Sequence, residues 1–549
     1  MSGTRRRPDK VYFSPSLHRL LRDYAGRDFL WKLLKKNIHM MREKGRTVNR
    51  ITLEEDCNVP DSQADAERII QNKAEVKIED VQVDVDQITI TGVLQVCVLY
   101  IADTPEHPLG RLDAKLSFKE KQNLPGAVPG ENVHLKWDVE DINVSLINSR
   151  KLSLKALLAF TASTEEIYDA QAAVELHGVS EVSTLTKDLE LLQLVVQKKD
   201  ILRIKDEATV SSNKPNIANV LWESIQLRGT DSRVLDGQLD IKGELFVFVL
   251  YEGDDENRTK QWLETALPFQ GTIECKECTA DMIPQIDIVL SQSSLEVLED
   301  YDGERRLLSI EAVLDLDIKL YVEEQVRILE DIYSPVRNLQ PVTQQQVYES
   351  LLVKNFSKIR ASERIRLDGK QPRVLQTCSS RGEVRIDNTA ITEKGIEVEG
   401  AVFVTILYVS SDDRAPYAVM EGAVPFTQLI EVKNITPECR FTLQTDLEQL
   451  STTMIDSEEI EAKIIVNLNA FVVRVHHEQC IVDIEEKEMD LKKLQELPGI
   501  VGYIVQPGDT LWEISKHYFT TPQRICALNK VEEKDVRPGT QLIILKTVS

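Results

Sequence analysis

No stretch of the 549-residue chain approaches the ~18–20 consecutive apolar residues that a membrane span requires. The amino end carries Arg5, Arg6 and Arg7, but no apolar run and no small-residue cleavage site follow them. That is not the pattern of a secretory signal, and the expectation is a protein that stays inside the cell. Cysteines are few and scattered: Cys57, Cys97, Cys378, Cys439, Cys480 and Cys526 stand alone. Cys275 and Cys278 form one CxxC pair, with no second pair at zinc-site distance. Reduced, mostly buried thiols are expected. Catalytic signatures are missing as well. There is no GxSxG, HExxH or P-loop, and the eight histidines do not fall at ligand spacings. His476 and His477 are adjacent, so a strand would point them to opposite faces. An enzyme is not expected.

Positive charge is also scarce, except at one end. Residues 1–46 hold thirteen Lys/Arg against four Asp/Glu, a net +9, which leaves −33 of the total −24 for residues 47–549. An acidic body argues against nucleic acid as a partner. Within the basic end, Leu17, Leu20, Tyr24, Trp31, Leu34, Ile38 and Met41 recur at steps of three, four or seven. This spacing predicts an amphipathic helix, interrupted near Gly26. Such a helix either packs on the neighbouring β unit or docks on an anionic membrane surface, as basic amphipathic helices do.

What the chain does have is length and repetition. A single core rarely grows past roughly 250–300 residues, so several domains are expected. Three strand-like runs align on a glycine: Ile88 to Tyr100 on Gly92, Leu239 to Tyr251 on Gly243, and Ile396 to Tyr408 on Gly400. A Tyr follows the glycine by eight residues each time, and a Phe by 26, at Phe118, Phe269 and Phe426. An apolar residue precedes it by 33, at Val59, Val210 and Leu367, and five residues further on come Ala64, Pro215 and Pro372. Alternating Val/Ile runs, with turns at Pro125-Gly126, Pro129-Gly130, Asp236-Gly237 and Lys394-Gly395, read as antiparallel β. Each copy ends in another such run: Leu152 to Phe160, Leu307 to Leu320, Ile460 to Phe471. Units about 150 residues apart suit domains rather than thin solenoid repeats.

The first copy reads Val59-Pro60-Asp61-Ser62-Gln63-Ala64-Asp65-Ala66-Glu67-Arg68-Ile69-Ile70 and later Ile147-Asn148-Ser149-Arg150-Lys151. It resembles the SPOCS domain, whose pattern is close to VPDSKPDIERIL with a later LNSRK. The second copy keeps Asn213-Lys214-Pro215-Asn216-Ile217, and the third Lys370-Gln371-Pro372-Arg373-Val374. Asp61, Glu67, Arg68, Asn148, Ser149 and Arg150 are either a binding patch or the ion pairs and caps of turns and a short helix.

The carboxyl end carries a second motif. Tyr503 and Val505, with Leu542 to Ile544, alternate as two short strands. Gly508 permits a tight turn, and Thr510 with Glu513 has capping-box spacing. Leu511, Ile514 and Tyr518 recur at helical steps, Ile525 with Leu528 suggests a second helix, and Pro538-Gly539 makes the last turn. The run Tyr503 to Ser515 resembles the LysM opening YxVxxGDTLWxIA, and Leu528-Asn529 with Arg537-Pro538-Gly539-Thr540-Gln541-Leu542 its close, where Thr540 parts the family's Gly-Gln pair. LysM modules bind N-acetylglucosamine polymers. The resemblance therefore implies a groove at Gly508, Asp509, Thr510, Leu511 and Trp512, closed by Asn529 and Pro538. Asp509, Thr510 and Asn529 either touch sugar there or only hold turns and caps. Trp512 is expected to be partly exposed, because Leu511 and Ile514 already supply the buried helical step.

The expected fold is multidomain and mainly β. It runs as a basic helical segment at 1–46, SPOCS-like units at 47–175, 190–332 and 347–488, and a small α+β (βααβ) LysM module at 500–547. SPOCS repeats followed by LysM resemble spore-coat morphogenesis proteins. That resemblance implies a non-enzymatic scaffold without cofactor, in the mother-cell cytoplasm at the forespore surface. Its implied partner is a coat basement protein such as SpoIVA. The alternative is a wall protein that binds peptidoglycan through LysM.

Overall fold

The computed structural model of the protein describes residues 32–104, 109–131, 133–178, 181–489 and 498–547. Strict alternation fixes the local structure. In the strand Lys151–His177, Leu152, Leu154, Ala156, Leu158, Phe160 and Ala162 are buried at every second position. Such a pattern suits a strand with one face on a core.

Each unit has six antiparallel strands in two three-stranded sheets. In unit one, β1 (Lys32–Asn58), β6 (Lys151–His177) and β5 (Val133–Asn148) form one sheet in that order. The meander β2 (Ala66–Asp84), β3 (Gln87–Ala102) and β4 (Leu109–Asn123) forms the other. Unit two repeats this with β7 (Ser183–Thr209), β12 (Arg305–Tyr333) and β11 (Ile283–Glu299), beside β8 (Ile217–Leu235), β9 (Gln238–Gly253) and β10 (Lys260–Glu274). In unit three the sets are β13 (Asn338–Arg366), β18 (Glu459–Lys487) and β17 (Arg440–Met454), then β14 (Val374–Thr392), β15 (Gly395–Ser410) and β16 (Tyr417–Glu431).

The repeat signature has a physical meaning. Gly92 pairs directly with Phe118 across β3 and β4, Gly243 with Phe269, and Gly400 with Phe426. A Cβ on Gly92 would lie 2.8 Å from the Phe118 ring and 2.6 Å from the Lys77 carbonyl, so the ring occupies the space the glycine leaves. The tyrosines are fully buried, and each hydroxyl donates to a carbonyl 36 residues earlier. Tyr100 reaches Ala64 at 3.2 Å, Tyr251 reaches Pro215 at 3.2 Å, and Tyr408 reaches Pro372 at 2.9 Å. Two offsets seen in the sequence are thus one hydrogen bond.

The units are not beads on a string. Each meander's first strand has a bulge at an equivalent place, at Ile70, Leu221 and Cys378. Bulges re-aim side chains. Here all three join one inter-unit cluster, with Leu99, Leu250 and Leu407 from the second strands. This also explains the unbroken apolar run in β3: Val96, Val98 and Tyr100 face their own core, while Cys97 and Leu99 face the neighbours. The longest strands have 27 to 29 residues, or about 90 Å at a rise of ~3.3 Å per residue. They outrun the sandwiches as three two-stranded stems packed side by side. Ile38, Met40, Ala170, Ala172, Leu189, Leu191, Val326, Ile328, Tyr348 and Cys480 form their shared core.

Three expectations need correction. The amphipathic helix is not supported. Residues 1–31, with Leu17, Leu20, Tyr24 and Trp31, lie outside the described residues, and Lys32 to Met41 belong to β1. Ile38 and Met40 are buried and Lys35, Asn37 and His39 exposed, a period of two set by pairing with β6. No short helix follows Asp61 either. Ala66 bonds to the Ser149 carbonyl at 2.8 Å, and Glu67 and Arg68 already lie in β2. Cys275 and Cys278 are not reduced thiols but are joined as a disulfide, both buried in the core of unit two. Of the other six cysteines four are buried and two half-buried, and burial pushes the Cys97 and Cys378 thiols up to about 12.

Candidate functional site in the carboxyl-terminal module

The last module is built from β19 (Ile500–Ile504), α1 (Leu511–His517), α2 (Pro522–Asn529) and β20 (Gln541–Leu545), with β19 antiparallel to β20. Its core is small: Val505, Leu511, Ile514, Ile525, Leu542 and Ile544. Caps therefore matter. Thr510 Oγ1 accepts from the Glu513 amide at 3.2 Å, and Thr521 Oγ1 from the Arg524 amide at 3.3 Å, with Pro522 in the first turn.

The two loops of the expected groove are tied together. Val505 donates to the Thr540 carbonyl at 3.0 Å, and Gly539 to the Val505 carbonyl at 2.8 Å. Gly508 and Gly539 both have φ of +93°, which favours glycine. Gly508, Thr510 and Pro538 are exposed beside each other's loops, and Leu511 is buried beneath them. Asp509 Oδ2 accepts from the Tyr503 hydroxyl at 2.6 Å and the Gln506 amide at 2.7 Å. These bonds hold its carboxyl below the usual range and push the Tyr503 hydroxyl up to about 12. Asn529 is spent on the backbone: its amide donates to the Ile543 and Ile525 carbonyls at 2.7 and 2.9 Å and accepts from the Ile543 amide at 2.7 Å. Asp509, Thr510 and Asn529 thus hold the turn, the cap and the outer edge of β20.

Trp512 is partly exposed, and something unforeseen covers its other side. Its indole N–H donates to Asp331 Oδ2 at 2.8 Å, and its ring meets Tyr333 edge-on at 4.8 Å. Lys516, one turn on, pairs with the same carboxylate at 2.6 Å, and the Tyr333 hydroxyl donates to the Thr520 carbonyl at 2.9 Å. Asp331 and Tyr333 end the stem of unit two, some 180 residues away in sequence, so no local pattern could have paired them with the module.

In unit one the polar set forms a clasp. Arg150 pairs with Asp61 at 3.0 Å and Asp65 at 3.2 Å, Ser149 donates to Asp65 at 2.7 Å, and Asn148 accepts from the Arg150 amide at 2.9 Å. Glu67 and Arg68 are exposed. The other units keep the clasp in changed chemistry, which sequence reasoning missed. Asn216 stands where Asp65 does and accepts from Arg306 at 2.6 Å. Arg373 stands there in unit three and pairs with Glu458 at 3.0 Å, a reversed charge pair. Loop and hairpin tip are held together each time.

Comparison with known families agrees with this anatomy. The SipL, SPOCS domain model matches residues 65–147, 216–298 and 373–455, and the LysM domain model matches 503–545. Each SPOCS match starts at a clasp residue and covers the second to fifth strands of its unit, leaving the two longest strands outside. No curated protein and no solved structure matches the chain. Among the described residues no helix is long and apolar enough to cross a membrane. SPOCS and LysM are non-catalytic domain families, and together they mark a sporulation-related protein with capacity to bind cell-wall glycan. The chain belongs with the SipL-like proteins, carrying three SPOCS domains ahead of a LysM domain.

Proposed function

We propose that this protein is a morphogenetic scaffold of the spore envelope. Its three SPOCS units serve as a stiff body, and its LysM module captures a partner at the forespore surface from the mother-cell side. The observation that carries this reading is the placement of LysM. Trp512 and Lys516 seat the module on the stem end of unit two, while Gly508, Thr510 and Pro538 stay exposed. A body about 90 Å long (strand length at ~3.3 Å per residue) separates that end from the three clasped hairpin tips. Such a spacer holds two surfaces apart.

The partner in this reading is a coat basement protein resembling SpoIVA, bound at Gly508, Asp509, Thr510, Leu511, Asn529 and Pro538, with Trp512 as an aromatic anchor once it leaves Asp331. A second occupant has its own support in the LysM match: a glycan containing N-acetylglucosamine. Asp509, Thr510 and Asn529 have their side chains engaged locally, so a sugar would meet backbone groups and apolar surface at the two loops. A fluorescent fusion imaged in sporulating cells, with a pull-down from the same culture, tests the scaffold. A ring around the forespore with a co-purifying coat protein supports it. Signal on the vegetative wall or in the medium, with tight chitooligosaccharide binding, overturns it in favour of a wall-binding protein.

A further inference from the structure

The contact between LysM and unit two has the marks of a built receptor. One carboxylate, on Asp331, serves two donors from the same helix face, Trp512 Nε1 at 2.8 Å and Lys516 Nζ at 2.6 Å. Tyr333, itself buried, adds an edge-on ring contact and a hydrogen bond to Thr520. Arg524 of α2 lies 3.7 Å from Glu181, at the start of the same stem. Only part of this receptor is peculiar to unit two. All three stems carry their bulge at the equivalent place, Val174, Glu330 and Val482, and each is followed by an acidic residue, Glu175, Asp331 and Asp483. By strand register the positions equivalent to Tyr333 are His177 and Glu485, so only unit two offers a phenol there.

We propose that this contact is a latch. It commits the Trp512 face of LysM to the protein's own body, leaves the Gly508–Pro538 loops free, and opens the indole to an outside partner only when Asp331 and Tyr333 release it. The latch rests on the proposed function only for what the freed surfaces bind; the docking itself is a property of this chain. A tethered contact of this kind needs little intrinsic strength, since a short linker gives an effective concentration near the millimolar range. A partner that takes Trp512 must displace Asp331, so its apparent affinity is reduced by the latched fraction.

The test uses the full chain labelled with 5-fluorotryptophan, with the Trp512 resonance assigned by its loss in Trp512→Phe. Asp331→Ala, and separately Tyr333→Phe, should move and narrow the Trp512 signal and leave the other tryptophans in place. The maximum dimension in solution scattering should grow as the module swings out. An unmoved Trp512 signal in both variants overturns the latch. Chitohexaose is then titrated into wild type and Asp331→Ala. Affinities within twofold are expected, because the loops are free in both states, and a tenfold gain on release would overturn the claim that the latch leaves them open. Absence of binding in both proteins counts against the glycan reading alone, because the fluorine signal still decides the latch.

Discussion

Gly92, Gly243 and Gly400 each lie beneath a Phe ring on the next strand, and Tyr100, Tyr251 and Tyr408 each reach back to a carbonyl 36 residues earlier. At the stems the same alignment yields Met40, Leu191 and Tyr348, three different shapes in one shared core. Charges diverge there too. Lys36 pairs with Glu324 across the first seam, and its equivalent Lys187 pairs across the second with Glu478, which sits two residues further along than Glu324 by register, while Gln344 stands at the lysines' place in the third. The difference follows from what each site must fit. A unit's interior always meets itself, so one solution serves three times. Each seam meets a different neighbour, and the ring closes without threefold identity.

That contrast can be broken from the inside first. Gly92→Val would drive a side chain into a backbone carbonyl and a buried ring, and overpacking of this kind costs about 3 kcal/mol. A large drop in the thermal midpoint of unit one is expected, and a midpoint within a degree of wild type would show that the Gly–Phe pairing is incidental. Tyr251→Phe keeps the ring and removes only the bond to Pro215. The expected loss is about 1 kcal/mol, the usual net worth of one hydrogen bond, read from the denaturant midpoint.

The seams should respond more weakly. Lys187 is 42% exposed and its partner Glu478 19% exposed, so Lys187→Ala should cost no more than about 0.5 kcal/mol after solvent screening. A double-mutant cycle with Glu478→Ala isolates that term, and Gln344→Ala at the unpaired seam should cost nothing measurable. The smallest effect concerns pH. The Tyr503 hydroxyl and the Gln506 amide hold the Asp509 carboxyl below its ordinary range. A depressed acid adds stability that is present above its unfolded-state pKa and fades as pH falls through the folded one. Melting of the LysM module should therefore weaken at strongly acidic pH, and Asp509→Asn should flatten that limb. An equally steep limb in the variant would assign it to another group.

Much of the body was legible in the chain. Alternation predicted the β units, three aligned offsets marked the repeat, and the first LysM helix is capped by Thr510, as its spacing to Glu513 predicted. From Lys32 onward the amino-terminal helix was a misreading with a clear cause. Leu34, Ile38 and Met41 fit helical steps, yet Ile38 and Met40 also fit a strand, and only the β6 partner decides between the two periods. The clasp escaped in units two and three because Asn216–Arg306 and Arg373–Glu458 preserve a contact while changing its residues.

The sequence by itself determined what depends on near neighbours: strand period, turns, caps and the Gly–Phe–Tyr spacing that makes each unit. Tertiary structure alone decided that the units close around a common core, that Ile70, Leu221 and Cys378 bulge into it, and that Trp512 rests on Asp331 and Tyr333. The physical reason is that an apolar or indole side chain is satisfied equally by a core, a neighbouring unit or a partner. Which of these it meets depends on where distant segments lie, and no local spacing records that.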